Sequence, residues 1–109
     1  MGSIFEEIRF NSDGLVPAIA QQHDTGALLM MAWMSRESLH QTLRDGQVCY
    51  WSRGRQQLWR KGETSGNTQT LVKCVLDCDG DTLLLLVDQK GPACHTGSRT
   101  CFFRELPMT

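Results

Sequence analysis

Four aspartates, three of them within five residues, and three cysteines crowd the stretch from Asp77 to Cys101, which reads D-C-D-G-D, then T-L-L-L-L-V-D-Q, then K-G-P-A-C-H-T-G-S-R-T-C. Carboxylate oxygens suit hard cations such as Mg²⁺ and thiolates suit Zn²⁺, so two different ions are implied rather than one. Strand alternation places Asp77 and Asp79 on one face and Cys78 on the other, with Asp81 able to swing back past Gly80. Neighbouring carboxylates at this spacing repel by about 1 kcal/mol or less in a water-like dielectric, so a polar hairpin tip with no ion explains them equally well. Cys94 and Cys101 occupy a Gly/Pro/Ser/Thr-rich loop, where a thiol has little core to fill and is open to oxidation. Their separation is too wide for a zinc knuckle. With Cys78 as a third ligand they give three protein ligands and one open place, the arrangement of catalytic rather than structural zinc. His95 adjoins Cys94 and has three open roles: fourth ligand, proton shuttle or surface histidine. Cys49 and Cys74 read as core filler.

A second chemical stretch runs from Arg53 to Asn67 (R-G-R-Q-Q-L-W-R-K-G-E-T-S-G-N) and is the one locally basic segment. A solvated hairpin with basic decoration accounts for its composition. An anion pocket accounts for it as well: Arg offers forked donors to phosphate, Lys a point charge, and Gly and Ser let backbone N–H groups approach an oxyanion. The spacing of a Walker phosphate loop is absent.

The elements that must position these groups follow from pattern. Leu15 to Gln22 reads as a strand, Asp24-Thr25-Gly26 as its turn, and Ala27 to Met34 as the returning strand, apolar on both faces and therefore central. Ser35 is a helix N-cap, Met34 and Leu39 have the spacing of a hydrophobic staple, and Gly46 closes a helix over Arg36 to Asp45. Ser38 stands where a capping box would want Glu or Gln. Val48 to Ser52 returns to strand composition, Thr68 to Asp79 is a long strand turned by Gly80, and Thr82 to Gln89 pairs back. Leu83 to Val87 are apolar throughout, so that strand is central or covered by a second subunit. The result is a mainly β, α+β fold with one or two short helices.

A chain of 109 residues predicts one domain, residues 1–109. A formal net charge of −1 gives no field to gather nucleic acid or anionic lipid. No apolar run is long enough for a membrane span, and the first residues lack a secretion signal. Five cysteines, an odd number without an export signal, point to the reducing cytoplasm.

The blocks Y-W-S-R-G-R-Q-Q-L-W-R-K-G-E-T-S-G (50–66), D-C-D-G-D (77–81) and V-D-Q-K-G-P-A-C-H-T-G-S-R-T-C-F-F (87–103) resemble the phosphoribosyl-AMP cyclohydrolase family of histidine biosynthesis. The similarity runs from about Asp13 to Phe103, with the blocks in the family's order. One departure is Gly54, where the family more often carries Ser. The resemblance implies a strongly bent mixed or antiparallel sheet, a pseudobarrel, in an interlocked homodimer. It implies zinc held by Cys78, Cys94 and Cys101 from both subunits, and Mg²⁺ held by Asp77, Asp79 and Asp81. Members are often fused to a phosphoribosyl-ATP pyrophosphatase, an activity not expected of this chain.

The implied reaction is hydrolysis of the N1–C6 bond of the adenine in 1-(5-phosphoribosyl)-AMP. Zinc lowers the pKa of bound water towards about 7, and the resulting hydroxide is expected to add to the electron-poor C6. His95 is the candidate for moving protons. Arg53, Arg55 and Lys61 are expected to meet phosphate, and Glu63 and Ser65 ribose or base. A zinc nucleobase deaminase would attack the same carbon but needs an H-x-E…P-C-x-x-C signature that is missing. A structural zinc module binding RNA, disfavoured by the near-zero charge, and a redox sensor are the remaining alternatives.

Overall fold

The computed structural model describes residues 3–108. After a 3₁₀ turn at Ile4–Glu7, the chain forms β1 (Leu15–Gln22), β2 (Leu28–Ser35), α1 (Arg36–Asp45), β3 (Cys49–Ser52), β4 (Gln57–Arg60), β5 (Gln69–Leu76) and β6 (Leu83–Gln89). The strands make one mixed sheet in the order β4-β3-β2-β1-β6-β5, curled into a half-barrel. Only β1 and β6 run parallel. The register shifts at Ala20/Gln21 and at Leu71/Lys73, and such irregularities bend a sheet.

The apolar run of β6 is central, between β1 and β5, as its lack of a polar face requires. Leu83, Leu85 and Val87 line up with Ala18, Ala20 and Gln22 of β1 and enter the core with Val16, Met30, Met34 and Leu39. The opposite face is apolar but only half covered. Met31, Ile19, Leu84 and Val75 are register partners across β2, β1, β6 and β5, and Met31 and Val75 are exposed.

Helix α1 has the expected bounds, with Ser35 as N-cap and Gly46 at φ +71° donating its N–H to the Thr42 carbonyl. Ser38 completes a capping box after all. Its hydroxyl accepts the Ser35 N–H at 2.8 Å while its own N–H donates to Ser35 Oγ at 3.1 Å, a short side chain doing what Glu or Gln does elsewhere. One expectation needs correction. The strand expected to reach Asp79 ends at Leu76, so Asp77 to Asp81 form a turn and the alternating-face argument does not apply to them. The basic stretch folds as the hairpin its composition allowed, with a strand of its own, β4, paired to β3 through a turn at residues 53–56.

Candidate active site

The acidic turn is built by Asp77 itself. Its Oδ1 accepts the N–H groups of Asp81 (3.0 Å) and Thr82 (3.2 Å), while its carbonyl takes the Gly80 N–H at 3.1 Å. Gly80, at φ +79°, lets the Glu7 carbonyl come so close that an added Cβ would sit 2.7 Å from it. The N-terminal segment is thereby docked on the turn, with Arg9 N–H donating to the Gly80 carbonyl at 2.7 Å. Asp77, Asp79 and Asp81, all exposed, bring carboxylate oxygens within 4.8 Å of one another. Oxygens bound to one Mg²⁺ lie about 2.1 Å from it and hence no more than about 4.2 Å apart, so small side-chain shifts suffice. Desolvation pushes the Asp77 carboxyl up, but hydrogen bonds with Asp81 and the backbone N–H groups outweigh it and leave it below the usual range. Asp79 is pushed up by sharing hydrogen bonds with Asp81 and Asp77. The trio therefore competes for protons, a strain that a hard cation would relieve.

At the other end of β6, the loop from Gly91 to Cys101 carries the second donor set. It folds back on itself through Ala93 N–H to the Arg99 carbonyl and Cys94 N–H to the Ser98 carbonyl, both 3.1 Å. Cys94 is buried and Cys101 exposed, and each thiol lies close enough to shift the other's titration. The Thr96 hydroxyl donates to Cys94 Sγ at 3.1 Å. That bond, the Thr96 N–H, the Cys101 thiol and the Lys61 charge together hold Cys94 below the ordinary thiol range. Desolvation and the Cys94 neighbour push Cys101 up. One thiolate is thus favoured in the pair.

Cys78 is not with them. It lies in a groove with Asp77, Asp79, Glu7 and Arg9, before β6 begins, whereas Cys94 comes after β6 ends. Seven residues of strand span roughly 20 Å. Among the described residues the acid trio is the only group of three or more His, Cys, Asp or Glu close enough to share an ion. Within one chain the three sulfurs therefore do not meet.

The basic stretch divides. Lys61, at the end of β4, donates from Nζ to the Ala93 carbonyl at 2.6 Å and so faces the thiol loop. Burial lowers its pKa, opposed by the charges of Cys101 and Cys94. A cleft of about 380 Å³ joins Lys61 and Ser65 to Cys94 and His95, walled by Trp59 and Asn67. Arg55 and Glu63 line the adjoining groove with Ser65. Arg53 is elsewhere: its guanidinium lies 4.8 Å from the Trp33 ring, beside Trp51 and Asp13. Cys49 is buried and Cys74 packs against the core, as expected of filler.

Sequence reasoning missed Trp59 and Asn67, and it missed a buried chain of polar side chains beneath the thiol loop. Tyr50 Oη donates to Gln69 Oε1 (2.7 Å), Gln69 Nε2 to Gln89 Oε1 (2.8 Å), and Gln89 N–H to Gln22 Oε1 (2.9 Å). Three glutamines at strand positions facing inward were the available signal.

Comparison with known proteins places this region in a family. Residues 30–103 match the family model described as phosphoribosyl-AMP cyclohydrolase. A phosphoribosyl-AMP cyclohydrolase of Rhodospirillum rubrum is 63% identical over 107 residues, covering 98% of this chain and 75% of that protein. The protein of that name in Acidiphilium cryptum is 68% identical over 98 residues, covering 90% of this chain and 84% of its own length. One from Rhodospirillum centenum is 67% identical over 102 residues, covering 94% and 77%. With its thiol loop, acidic turn and basic hairpin all inside the matched region, this chain belongs to the phosphoribosyl-AMP cyclohydrolase family.

Proposed function

We propose that this protein hydrolyses the N1–C6 bond of 1-(5-phosphoribosyl)-AMP, opening the purine ring in the third step of histidine biosynthesis. The observation that carries the reading is the cleft that joins Cys94 to Lys61, Ser65 and His95, with Cys101 close enough for the two thiols to shift each other's titration. Two neighbouring sulfurs, one favoured as thiolate, suit Zn²⁺ at its usual Zn–S distance of about 2.3 Å. Cys94 and Cys101 would hold that ion with Cys78 of a second copy. When bound, zinc supplies a water acidified to near neutrality. Asp77, Asp79 and Asp81 would hold Mg²⁺, whose charge suits a substrate phosphate.

The chain's own groups do the rest. Lys61 keeps its ammonium beside the thiols and ties the loop to β4 through Ala93. His95, exposed on the cleft wall, is placed to carry a proton to and from the purine as C6 gains oxygen and N1 leaves. Ser65 and Glu63 offer hydrogen bonds to ribose or base, and Arg55 meets a phosphate in the adjoining groove. Arg53 is assigned to phosphate only through the assembled dimer, since in one chain it stacks on Trp33.

The places where β6 puts its ends support a zinc site shared between two copies. A two-fold axis across β6 reverses the strand in the second copy and sets one copy's acidic turn over the other's thiol loop. The half-covered row Met31, Ile19, Leu84 and Val75 is the apolar surface such a contact would bury. Five free thiols fit work in the reducing cytoplasm. Among the described residues no helix is long and apolar enough to cross a membrane.

The test combines metal analysis with turnover. Purified protein should contain about one zinc per chain and change the ultraviolet spectrum of phosphoribosyl-AMP as the ring opens. Cys101→Ser should lose both the zinc and at least about a hundredfold in rate. Full turnover by zinc-free Cys101→Ser protein would end the proposal.

A further inference from the structure

One side chain within the thiol loop fastens the loop's base. Arg99 turns its guanidinium back to the loop's origin: Nη1 donates to the carbonyls of Gln89 (3.3 Å) and Gly91 (3.1 Å), and Nη2 to Gln22 Oε1 (3.3 Å). Gln22 is only 4% exposed, and its orientation is fixed because Nε2 donates to Asp24 and Asp88 while Oε1 takes the Gln89 N–H. Behind Gln22 stands the buried Gln89–Gln69–Tyr50 chain. The far side of the loop is pinned separately, with Cys101 N–H donating to the Leu29 carbonyl at 2.7 Å and the Thr100 hydroxyl to Leu28 at 2.6 Å. Three acceptors in different directions are a task for a planar fork and not for an ammonium.

We propose that Arg99, seated on Gln22, is a positioning residue that fixes the spacing of Cys94 and Cys101 before any ion arrives. It touches neither thiol and acts through the loop backbone. A loop ordered in advance removes that ordering cost from ion binding, so its loss should appear as weaker affinity. The inference rests on the zinc reading above for its consequence, but its first effect is independent of metal.

The experiment therefore has two arms. In metal-free protein, Arg99→Met should speed hydrogen exchange across residues 91–101 while β1 and β6 keep the wild-type rates. In Co²⁺ titrations read by thiolate charge-transfer absorption, Arg99→Met should weaken binding about tenfold or more. Arg99→Lys should fall between Arg99→Met and wild type, and Gln22→Met should act in the same direction, with the double variant no weaker than Arg99→Met alone. Unchanged exchange in the loop would overturn the inference, as would unchanged Co²⁺ affinity or additive losses in the double variant. Wild-type protein that takes up neither Co²⁺ nor Zn²⁺ would overturn the metal reading, leaving exchange to decide the role of Arg99. Should Arg99→Met fail to fold, Arg99→Lys and Gln22→Met carry the same comparison.

Discussion

Single residues here are set by hydrogen-bond arithmetic more than by bulk. Tyr50 is wholly buried, and its hydroxyl donates to Gln69 Oε1. Burial raises its pKa far above the ordinary phenol range, so it stays neutral and keeps its proton for that bond. Tyr50→Phe leaves the Gln69 oxygen without its donor inside the core and should cost about 1–3 kcal/mol in urea unfolding. Gly54 presents the opposite case. A Cβ there would meet nothing within 4 Å, and its backbone does not need positive φ. Gly54→Ser should therefore leave the unfolding free energy within about 0.5 kcal/mol of wild type. A larger change would mean that the turn is occupied in the assembled protein.

Among the elements, α1 and β4 are tied by charge at their ends. Asp45, the last residue of α1, pairs with Arg44 and with Arg60 of β4, both at 2.9 Å. The Arg44 hydrogen bond, then that of Arg60, lowers the Asp45 pKa. A carboxyl depressed on folding stabilises above its unfolded pKa of about 3.9 and loses that contribution as pH falls through the folded value. Wild type should therefore melt above Asp45→Asn at pH 7, and the gap should close by about pH 2.5. A gap independent of pH would assign the difference to packing. The bounds of β1 and α1 were legible because period and caps are local signals. The end of β5 was not: Asp77 folds the chain into a turn through its own carboxylate, which alternation cannot anticipate.

At the scale of the molecule, the sheet leaves one apolar face half covered and separates the two donor sets by the length of β6. Both features fit the second copy proposed above. Val75→Lys, at an exposed position opposite Leu84, should convert a dimer of twice 12.3 kDa to monomer in sedimentation and abolish zinc retention. Far-UV circular dichroism should stay unchanged, since Val75 lies outside the buried core. A monomeric wild type that retains zinc would refute the shared site.

The sequence by itself determined the candidate donors, the family and where most of the strands lie, because residue type and short-range period carry that information. Only the tertiary structure decided that Cys94 and Cys101 come near each other while Cys78 stands a strand's length away. It also decided that Lys61 serves the thiol loop and that Arg53 leans on a tryptophan. These are long-range placements, fixed by how β6 inserts between β1 and β5, and no local pattern of side chains encodes them.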